Sequence, residues 1–279
     1  MKRQLLSLFL FSSLAAIPLA RCAAAELFVS PDGDDANTGD SWATALATPQ
    51  AAVTKAASGD TITLASGTYT VGYHVTIDKT LAIRGANSAF DTIVSGGGAG
   101  RRRVFAVAAG GDATFEDLTI ADGYASDENH FGGGVRLQGS DADHHARATF
   151  RRCILTRNIS RDRGAAVWAG PYSRATLENC LVAGNSSWNY AVLSTERNDA
   201  RMTLRNCTVT RNDQSNAGAG ILVSHGSALE VLNSIVVDNR SSTGVANFAD
   251  WGGGLTFSNC CVTPQPSSAA NCCSIPPNS

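Results

Sequence analysis

Lysine is scarce in this chain of 279 residues and occurs only at Lys2, Lys55 and Lys79. Arginine supplies the remaining basic charge, and the formal net charge is −2 at pH 7. Proteins that bind nucleic acid carry clustered basic residues and a strongly positive potential. The composition therefore excludes nucleic acid as an expected partner.

Long apolar runs are lacking beyond the first residues of the chain. Residues 1–25 follow the pattern of a secretory signal peptide, with a basic start, an apolar run over residues 5–20 and three alanines before Glu26. Arg21 stands where a lipoprotein signal needs a small residue, so Cys22 is not expected to carry a lipid. No later segment is long and apolar enough to span a membrane. We expect an exported protein, secreted or attached to the cell surface, and a monomer.

What the chain does contain is a repeat of 26 to 27 residues that follows one longer first repeat. Six segments align without gaps: ATFEDLTIADG from Ala113, ATFRRCILTRN from Ala148, ATLENCLVAGN from Ala175, MTLRNCTVTRN from Met202, LEVLNSIVVDN from Leu229 and LTFSNCCVTPQ from Leu255. Each repeat is too short and too polar to fold alone. A repeat of this length with a strand pattern predicts a solenoid whose coils stack.

The aligned columns predict which side chains face inward. A column of large apolar residues comprises Phe115, Phe150, Leu177, Leu204, Val231 and Phe257. A second apolar column comprises Ile120, Leu155, Val182, Val209, Val236 and Val262. A column of mostly small residues lies between them: Leu118, Cys153, Cys180, Cys207, Ser234 and Cys260. A further strand precedes each segment, with inward Val135, Val167, Val192 and Ile221. Alternation over short runs is typical of half-buried strands, and three short strands per coil fit the numbers.

The bends between strands form columns of their own. One corner is marked by Asn179, Asn206, Asn233 and Asn259, and another by Gly123, Asn158, Asn185, Asn212 and Asn239. Asn and Gly tolerate the left-handed conformation of a sharp corner, and stacked Asn side chains can form hydrogen bonds between coils. An outward column alternates in sign through Glu116, Arg151, Glu178 and Arg205. We expect this charge alternation to fix the register of the coils.

With these features the chain resembles the right-handed parallel β-helix proteins, a superfamily that includes polysaccharide lyases and pectin hydrolases. The N-terminal motif Gly59, Asp60, Ile62, Leu64, Gly67 and Tyr69 is similar to the first strand of chondroitinase B and alginate lyase relatives. In those proteins a short capping helix precedes that strand, and Thr48 with Pro49 is a good helix start here. The GGGV segment from Gly132 is weakly similar to chlamydial-type polymorphic outer-membrane β-helices.

The resemblance implies an all-β fold: a right-handed single-stranded parallel β-helix of about eight coils with a short N-terminal capping helix. We expect four regions along the chain. These are a signal peptide (1–25), a cap with the first coils (26–112), regular repeats (113–262) and a Cys/Pro/Ser-rich C-terminal tail (263–279).

Cysteine usage differs between the repeats and the tail. Cleavage of the leader leaves seven cysteines, an odd number, in an oxidising compartment. Cys153, Cys180 and Cys207 are expected to be free and buried, as small apolar residues. The other four could tie the tail over the last coil, with the pairing left open: Cys260, Cys261, Cys272 and Cys273.

Catalytic residues cannot be assigned from the sequence. The resemblance implies, for lyases, a Lys or Arg base beside a neutralised uronate, often with Ca²⁺, but Lys55 and Lys79 fall in the cap and first coils. The pattern of the pectin hydrolases is missing, since the only Asp-Asp pair is Asp34 and Asp35. The acidic loop over residues 32–40 is interpreted as a solvated turn rather than a Ca²⁺ site. No metal or other cofactor is expected.

Two polar or aromatic groups remain as functional candidates. The extended loop of the first repeat, within 123–147, holds Asp127, Glu128, His130, Asp141, Asp143, His144 and His145. These residues lack metal-ligand spacing, and the role of the loop is left open. The six candidate carbohydrate-binding residues are Trp168, Tyr172, Trp188, Tyr190, Arg136 and Arg163. We place Trp168 in an outward column with Arg136, Leu193 and Leu222.

Exposed aromatic rings beside arginines suit the stacking of sugar rings and the binding of acidic groups. The alternative is that the rings pack under loops that cover the strand. The favoured function is a secreted or surface-associated protein that binds a polysaccharide or cell-surface glycan, or serves as a scaffold, without catalysis of its own. The alternative is a divergent polysaccharide lyase that cleaves an acidic polysaccharide by β-elimination.

Overall fold

The computed structural model describes residues 24–98, 102–125, 130–216, 218–264, 266–267 and 269–273. The expected signal peptide lies almost wholly outside these residues, as do Asp127 and Glu128. None of the helices in the described part of the chain is long and apolar enough to cross a membrane.

Most of the chain winds through three parallel sheets, which we number in the order in which each coil visits them. Sheet 1 has ten strands: Glu26–Val29, Thr61–Leu64, Thr80–Gly85, Asp112–Glu116, Ala146–Arg151, Ser173–Glu178, Arg201–Arg205, Ala228–Leu232, Gly254–Ser258 and Ala269–Ala270. Sheet 2 has eight: Gly67–Thr70, Thr92–Ser95, Thr119–Ala121, Ile154–Thr156, Leu181–Ala183, Thr208–Thr210, Ile235–Val237 and Cys261–Val262. Sheet 3 has seven: Val75–Ile77, Phe105–Val107, Val135–Leu137, Val167–Ala169, Ala191–Thr195, Ala219–Ser224 and Phe248–Trp251. The expected all-β solenoid of about eight coils is confirmed.

A fourth, narrow sheet lies at the corner between sheets 2 and 3, and we call it the corner sheet. Its strands are Tyr124–Ala125, Ile159–Ser160, Ser186–Ser187, Asp213–Gln214, Arg240–Ser241 and Gly244–Val245, of which the last pairs antiparallel. Each regular coil therefore has a two-residue strand in addition to the three that the sequence predicts.

The interior is filled by the columns that the alternation predicts. Phe150, Leu177 and Leu204 are aligned in adjacent strands of sheet 1 and are fully buried. Phe115 and Phe150 stack with ring centroids 5.1 Å apart. The second apolar column is buried throughout, and so is the column of small residues. Large side chains thus repeat at the same depth in every coil.

The corner between sheets 1 and 2 has the predicted left-handed residues. Asn179, Asn206, Asn233 and Asn259 have φ angles of 56°, 53°, 49° and 55°. At the corner after sheet 2 the left-handed residue precedes the Asn column, as at Arg157 and Arg211, both with φ 53°. The expectation that the second Asn column itself adopts this conformation is wrong.

The second Asn column forms a buried ladder of side-chain amides instead. Asn158, Asn185 and Asn212 each donate from Nδ2 to the Oδ1 of the next Asn, at 3.0, 3.0 and 2.7 Å. Asn239 continues the ladder by donating to Asn247 at 2.9 Å. Each amide also binds backbone, as when Asn185 Nδ2 donates to Leu155 O at 2.9 Å. The ladder satisfies polar groups at a corner that water does not reach.

The N-terminal end is closed by the expected helix, which runs over Pro49–Lys55. Thr48 Oγ1 accepts a hydrogen bond from Ala51 N at 3.1 Å, and Ala52 and Val53 are buried. In the acidic loop before the helix, Asp35 accepts hydrogen bonds from the backbone amides of residues 47 and 48. Thr48 Oγ1 also donates to Asp35 Oδ2 at 2.8 Å. The loop therefore uses this carboxylate to position the helix.

The C-terminal segment adds a partial coil. Ala269–Ala270 pairs with the previous strand of sheet 1, and the Asn corner column continues at Asn271, with φ 53°. Cys261 and Cys273 form a disulfide across the last two coils. One position before this disulfide in each strand, Cys260 N donates a hydrogen bond to Cys272 Sγ at 3.4 Å.

The register of sheet 3 differs from the sequence alignment in one strand. Val167 pairs with Leu193, and Trp168 pairs with Ser194. The expectation that Leu193 shares the outward column of Trp168 is wrong, because Leu193 is an inward core residue and Ser194 takes the outward place. Val192 is buried as well, and the AVLST sequence of this strand does not alternate between apolar and polar residues, so its phase is not set by the sequence.

Candidate functional site

The outer face of sheet 3 carries two columns of side chains that define the candidate site. The first column, in strand register, is Arg136, Trp168, Ser194 and Leu222. The second column lies two residues further along each strand than the first. It comprises Gln138, Gly170, Glu196, Ser224 and Trp251. The turns that enter sheet 3 from the corner sheet lie beside this face and contribute His130, Phe131, Asp162, Arg163 and Tyr190. The face therefore gathers residues from five successive coils.

Trp168 lies on this outer face but is only 4% exposed. Phe131, from the preceding coil, stacks on the indole with centroids 4.7 Å apart and planes 11° apart. The Arg136 guanidinium lies 5.7 Å from the ring centroid. At Gly170 a Cβ atom would approach the indole to 2.1 Å, so only glycine allows the ring to lie there. Of the two alternatives given by the sequence, the packed one therefore holds for Trp168, whose ring is covered by Phe131.

Arg163 connects two carboxylates that come from different coils. Its Nη1 forms an ion pair with Glu196 Oε1, and its Nε lies 3.7 Å from Asp162 Oδ1. The guanidinium also lies 4.4 Å from the centroid of the Tyr190 ring and 5.5 Å from that of Trp251. We call Asp162, Arg163 and Glu196 the acidic cluster.

The two carboxylates of the acidic cluster have different surroundings. The side chain of Glu196 is 8% exposed and that of Asp162 is 24% exposed. Burial raises the pKa of the Asp162 carboxyl above its ordinary value, although Arg163 and His130 act in the opposite direction. Backbone hydrogen bonds hold Asp162 between its neighbours, with its N donating to His130 O and its O accepting from Tyr190 N. The Asp162 carboxyl therefore favours its protonated form more than a free Asp does, whereas the Glu196 carboxylate is ion-paired with Arg163.

An exposed aromatic edge borders this cluster, formed by Trp188, Tyr190 and Trp251. Trp188 is 44% exposed and Trp251 is 37% exposed. Tyr190 and Trp251 meet edge to face with centroids 5.0 Å apart. Arg161 lies over the Trp188 ring at 5.0 Å. Among the described residues Arg161 forms no ion pair; its side chain is half-buried, and its Nε is buried without a hydrogen-bond partner.

Tyr172 and Arg136 lie toward the other edge of sheet 3. Both line a shallow groove of about 580 Å³ together with His74, Gln138 and Asn198. Tyr172 stands edge-on to His145, with ring centroids 6.2 Å apart. The six candidate residues thus lie on one side of the solenoid. Only Trp188 and Tyr190 belong to the aromatic edge.

Several polar atoms on this face are buried without a hydrogen-bond partner among the described residues. They are Trp168 Nε1, Ser194 Oγ, His130 Nδ1 and Asp162 Oδ1. Native interiors leave few such groups unpaired, and clusters of them accompany ligand or catalytic sites. The described residues contain no group of three or more His, Cys, Asp or Glu side chains that could hold a metal ion.

Sequence reasoning missed Asp162, Glu196 and Trp251. No spacing motif links them, because they come together around Arg163 only when four successive coils stack. The signal that was available is a charged residue directly after a sheet 3 strand, where Glu196 follows Ala191–Thr195. Both lysines of the described chain are engaged at the cap: Lys79 Nζ donates to Val53 O and Ala56 O, and Lys55 Nζ to Asp35 O and Asn37 O.

Comparison with known proteins identifies the family to which the chain belongs. Residues 104–274, more than half of the chain, match the family described as right handed beta helix region. No curated protein is significantly similar to the chain in sequence.

Three solved pectin methylesterases show the same fold at low identity. The deglycosylated enzyme of Aspergillus niger is 14% identical, with a TM-score of 0.52 over 90% of this chain and 86% of that chain. The enzyme of Erwinia chrysanthemi is 15% identical, with a TM-score of 0.53 over 86% and 79%. The carrot enzyme is 16% identical, with a TM-score of 0.53 over 87% and 76%. This likeness concerns the fold alone, and with the family match it leads to one conclusion: the chain belongs to the right-handed parallel β-helix family.

Proposed function

We propose that this chain is an extracytoplasmic protein that binds an acidic polysaccharide through the aromatic edge of sheet 3. The observation that carries the proposal is the row of partly exposed rings, Trp188, Tyr190 and Trp251, with arginines packed on their faces. Aromatic faces stack on the apolar faces of sugar rings, and guanidinium groups bind carboxylates. The signal-peptide pattern of residues 1–25 supports export.

The acidic character of the ligand is inferred from the charges at the edge. Arg161 presents its guanidinium beside Trp188, whereas Arg163 is already ion-paired with Glu196. A polymer rather than a single sugar fits a face that extends over several coils. Pectin methylesterases act on a polysaccharide, and the shared fold gives that ligand class modest additional support.

The lyase alternative is less well supported. A β-elimination site needs a base beside the uronate, and both Lys55 and Lys79 donate to backbone carbonyls at the N-terminal cap.

The expected affinity for the polysaccharide follows from the number of stacked rings. Each stacked ring contributes about 0.5–1.5 kcal/mol beyond its buried area, so two or three rings imply binding in the micromolar to millimolar range.

The test compares Trp188→Ala with Trp168→Ala on affinity gels of polygalacturonate, alginate and chondroitin sulfate, with dextran as the neutral gel. We expect Trp188→Ala to reduce retention on the acidic gel that holds the wild type, with little change in unfolding temperature. Trp168→Ala is expected to lower the unfolding temperature because it removes a buried ring. Arg205→Ala, on the outer face of sheet 1, is the matched surface control.

Two results would contradict the proposal. Retention on none of the acidic gels would leave the protein as a scaffold. Equal retention of the wild type and Trp188→Ala would place any glycan contact elsewhere. Unsaturated uronate products, detected by their ultraviolet absorbance, would instead favour the lyase alternative.

A further inference from the structure

The inward column of small residues ends in two cysteines that lie opposite each other in the last two coils. The parallel pairing of these coils places Cys260 opposite Cys272, one position before the bridge between Cys261 and Cys273. Cys260 is 2% exposed, and Cys272 packs against the same core. Both carry thiols in the structure, and Cys260 N donates to Cys272 Sγ at 3.4 Å. Two sulfur atoms therefore meet on the core side of the C-terminal coil.

We propose that Cys260 and Cys272 are an oxidation site that forms a second disulfide, with a small disulfide compound as the oxidant. The Cα atoms of disulfide-bonded cysteines lie about 4.4–6.8 Å apart. The neighbouring pair, Cys261 and Cys273, has Cα atoms 4.8 Å apart, and parallel strands keep nearly the same spacing from one position to the next. The inference rests on the export that is part of the proposed function, because disulfides persist in oxidising compartments.

The reaction proceeds by two exchanges, and the first takes place at Cys272. This residue is half-buried, whereas Cys260 is covered, so the oxidant reaches Cys272 first. The Cys272 thiolate attacks the small disulfide, forms a mixed disulfide and releases one small thiol. Cys260 then loses its proton to solvent, attacks the Cys272 sulfur and releases the second small thiol. Two protein thiols are oxidised to one disulfide, while the oxidant is reduced to two thiols.

The other cysteines of the same column are protected from this reaction. Cys153, Cys180 and Cys207 are each at most 3% exposed, and each donates from Sγ to a backbone carbonyl of the preceding coil. Contact with Cys153 raises the pKa of the Cys180 thiol to about 12, and burial acts in the same direction. The nucleophilic thiolate is therefore scarce there at neutral pH. Ser234 separates this group from Cys260, so exchange does not pass along the column.

The second disulfide would fix the C-terminal coil from both of its faces. The bridge between Cys261 and Cys273 lies outside the core, because Cys261 is half-buried and Cys273 is exposed. The proposed bridge lies on the core side, where Phe248 is also only partly covered. A coil held in this way keeps the end of sheet 1 from pairing with other chains.

The test counts thiols in the full mature chain after treatment with oxidised glutathione at neutral pH. The sample is quenched in acid, unfolded and labelled with N-ethylmaleimide, and mass spectrometry counts and locates the labels. Of the seven cysteines, four would be bridged, which leaves three labels, on Cys153, Cys180 and Cys207. Five labels, as expected from one bridge alone, would overturn the proposal.

A matched pair of double variants assigns the bridges. Cys261→Ser with Cys273→Ser keeps the proposed pair and should still take three labels, with a mass two hydrogens below that of the reduced chain. Cys260→Ser with Cys272→Ser keeps the outer bridge and should also take three. Thermal unfolding checks that both variants fold. Five labels on the first variant, or a lasting glutathione adduct on Cys272, would show that Cys260 does not complete the exchange. A single label on the second would place the additional bridge among the interior cysteines, contrary to the proposal.

The outcomes separate this site from the proposed function. The oxidant is supplied in the test, so a missing second bridge overturns the oxidation site and leaves export and glycan binding in place. Trp188→Ala should take the same three labels as the wild type, because its ring lies on the aromatic edge, away from the last coil. Loss of retention on the acidic gels with three labels present would overturn glycan binding alone.

Discussion

Leu204 and Arg205 are neighbours in one strand of sheet 1, and their side chains lie on opposite faces of it. Leu204 is fully buried in the column that includes Phe150 and Leu177, whereas Arg205 is exposed. We expect Leu204→Ala to lower the free energy of unfolding by about 2–5 kcal/mol, as large-to-small changes in a packed core do. Arg205→Ala should lower it by less than about 1 kcal/mol.

Chemical denaturation measures the loss in free energy of unfolding for each variant. Fluorescence or circular dichroism follows the transition, with the same signal used for both. Equal losses would show that the assignment of the two faces is wrong.

At the residue scale the sequence predicts burial in the interior well and exposure on the outer face poorly. The column of Phe115 and Phe150 is predictable because a strand alternates with a period of two, and stacking repeats the same position in every coil. The burial of Trp168 depends on Phe131, which belongs to a turn of another coil. Turn conformation has no periodicity from which such a contact could be derived.

At the element scale the Asn ladder is the feature that links one corner to the next. Asn185 is buried, accepts from Asn158 and donates to Asn212, so its removal leaves polar groups on both sides unpaired. We expect Asn185→Ala to cost about 1–3 kcal/mol, the penalty for unsatisfied buried hydrogen-bonding groups. Equilibrium unfolding in urea provides the measurement.

Asn189→Ala is the control for this change. Its side chain also bonds to an Asn of the next coil, Asn216, but at the exposed surface, where water can replace the lost partner. The cost there should stay within about 0.5 kcal/mol. Similar costs at the two positions would mean that the ladder contributes no more than a surface contact.

The strand Ala191–Thr195 shows why the pairing register of every strand could not be predicted from the sequence. Its sequence, AVLST, places three apolar residues before two polar ones, so it has no alternation of apolar and polar side chains from which to choose its phase. The alignment put Val192 in the inward column, whereas pairing with Val167 puts Leu193 there. That shift of one residue also hid Ser194 and Glu196 from the outward columns. The place of Glu196 on the outer face could therefore not be derived from the alignment.

At the scale of the whole molecule, the strands of each coil pair only with strands of the coils next to it, so stability is distributed along the axis. Cys261 and Cys273 join the last two coils covalently. We expect Cys273→Ser to increase amide hydrogen exchange in residues 254–273, while residues 173–210 keep their protection. Peptide-resolved mass spectrometry distinguishes the two regions. Faster exchange along the whole chain would show that the solenoid unfolds as a single cooperative unit.

The Asn ladder has a consequence for how such a protein can change over evolutionary time. Asn158, Asn185, Asn212 and Asn239 recur at a constant interval of 27 residues, and each must meet its neighbour to form its hydrogen bond. A duplicated or deleted segment preserves the ladder only if it spans a whole coil. Shorter insertions are compatible with the ladder where the chain leaves the corner sheet for sheet 3, the turns that carry Phe131, Arg163 and Tyr190. Insertion of surface residues is thus directed to the turns on both sides of sheet 3, since the turn from sheet 3 to sheet 1 also varies, with eight residues before Ala146–Arg151 and three before Ser173–Glu178.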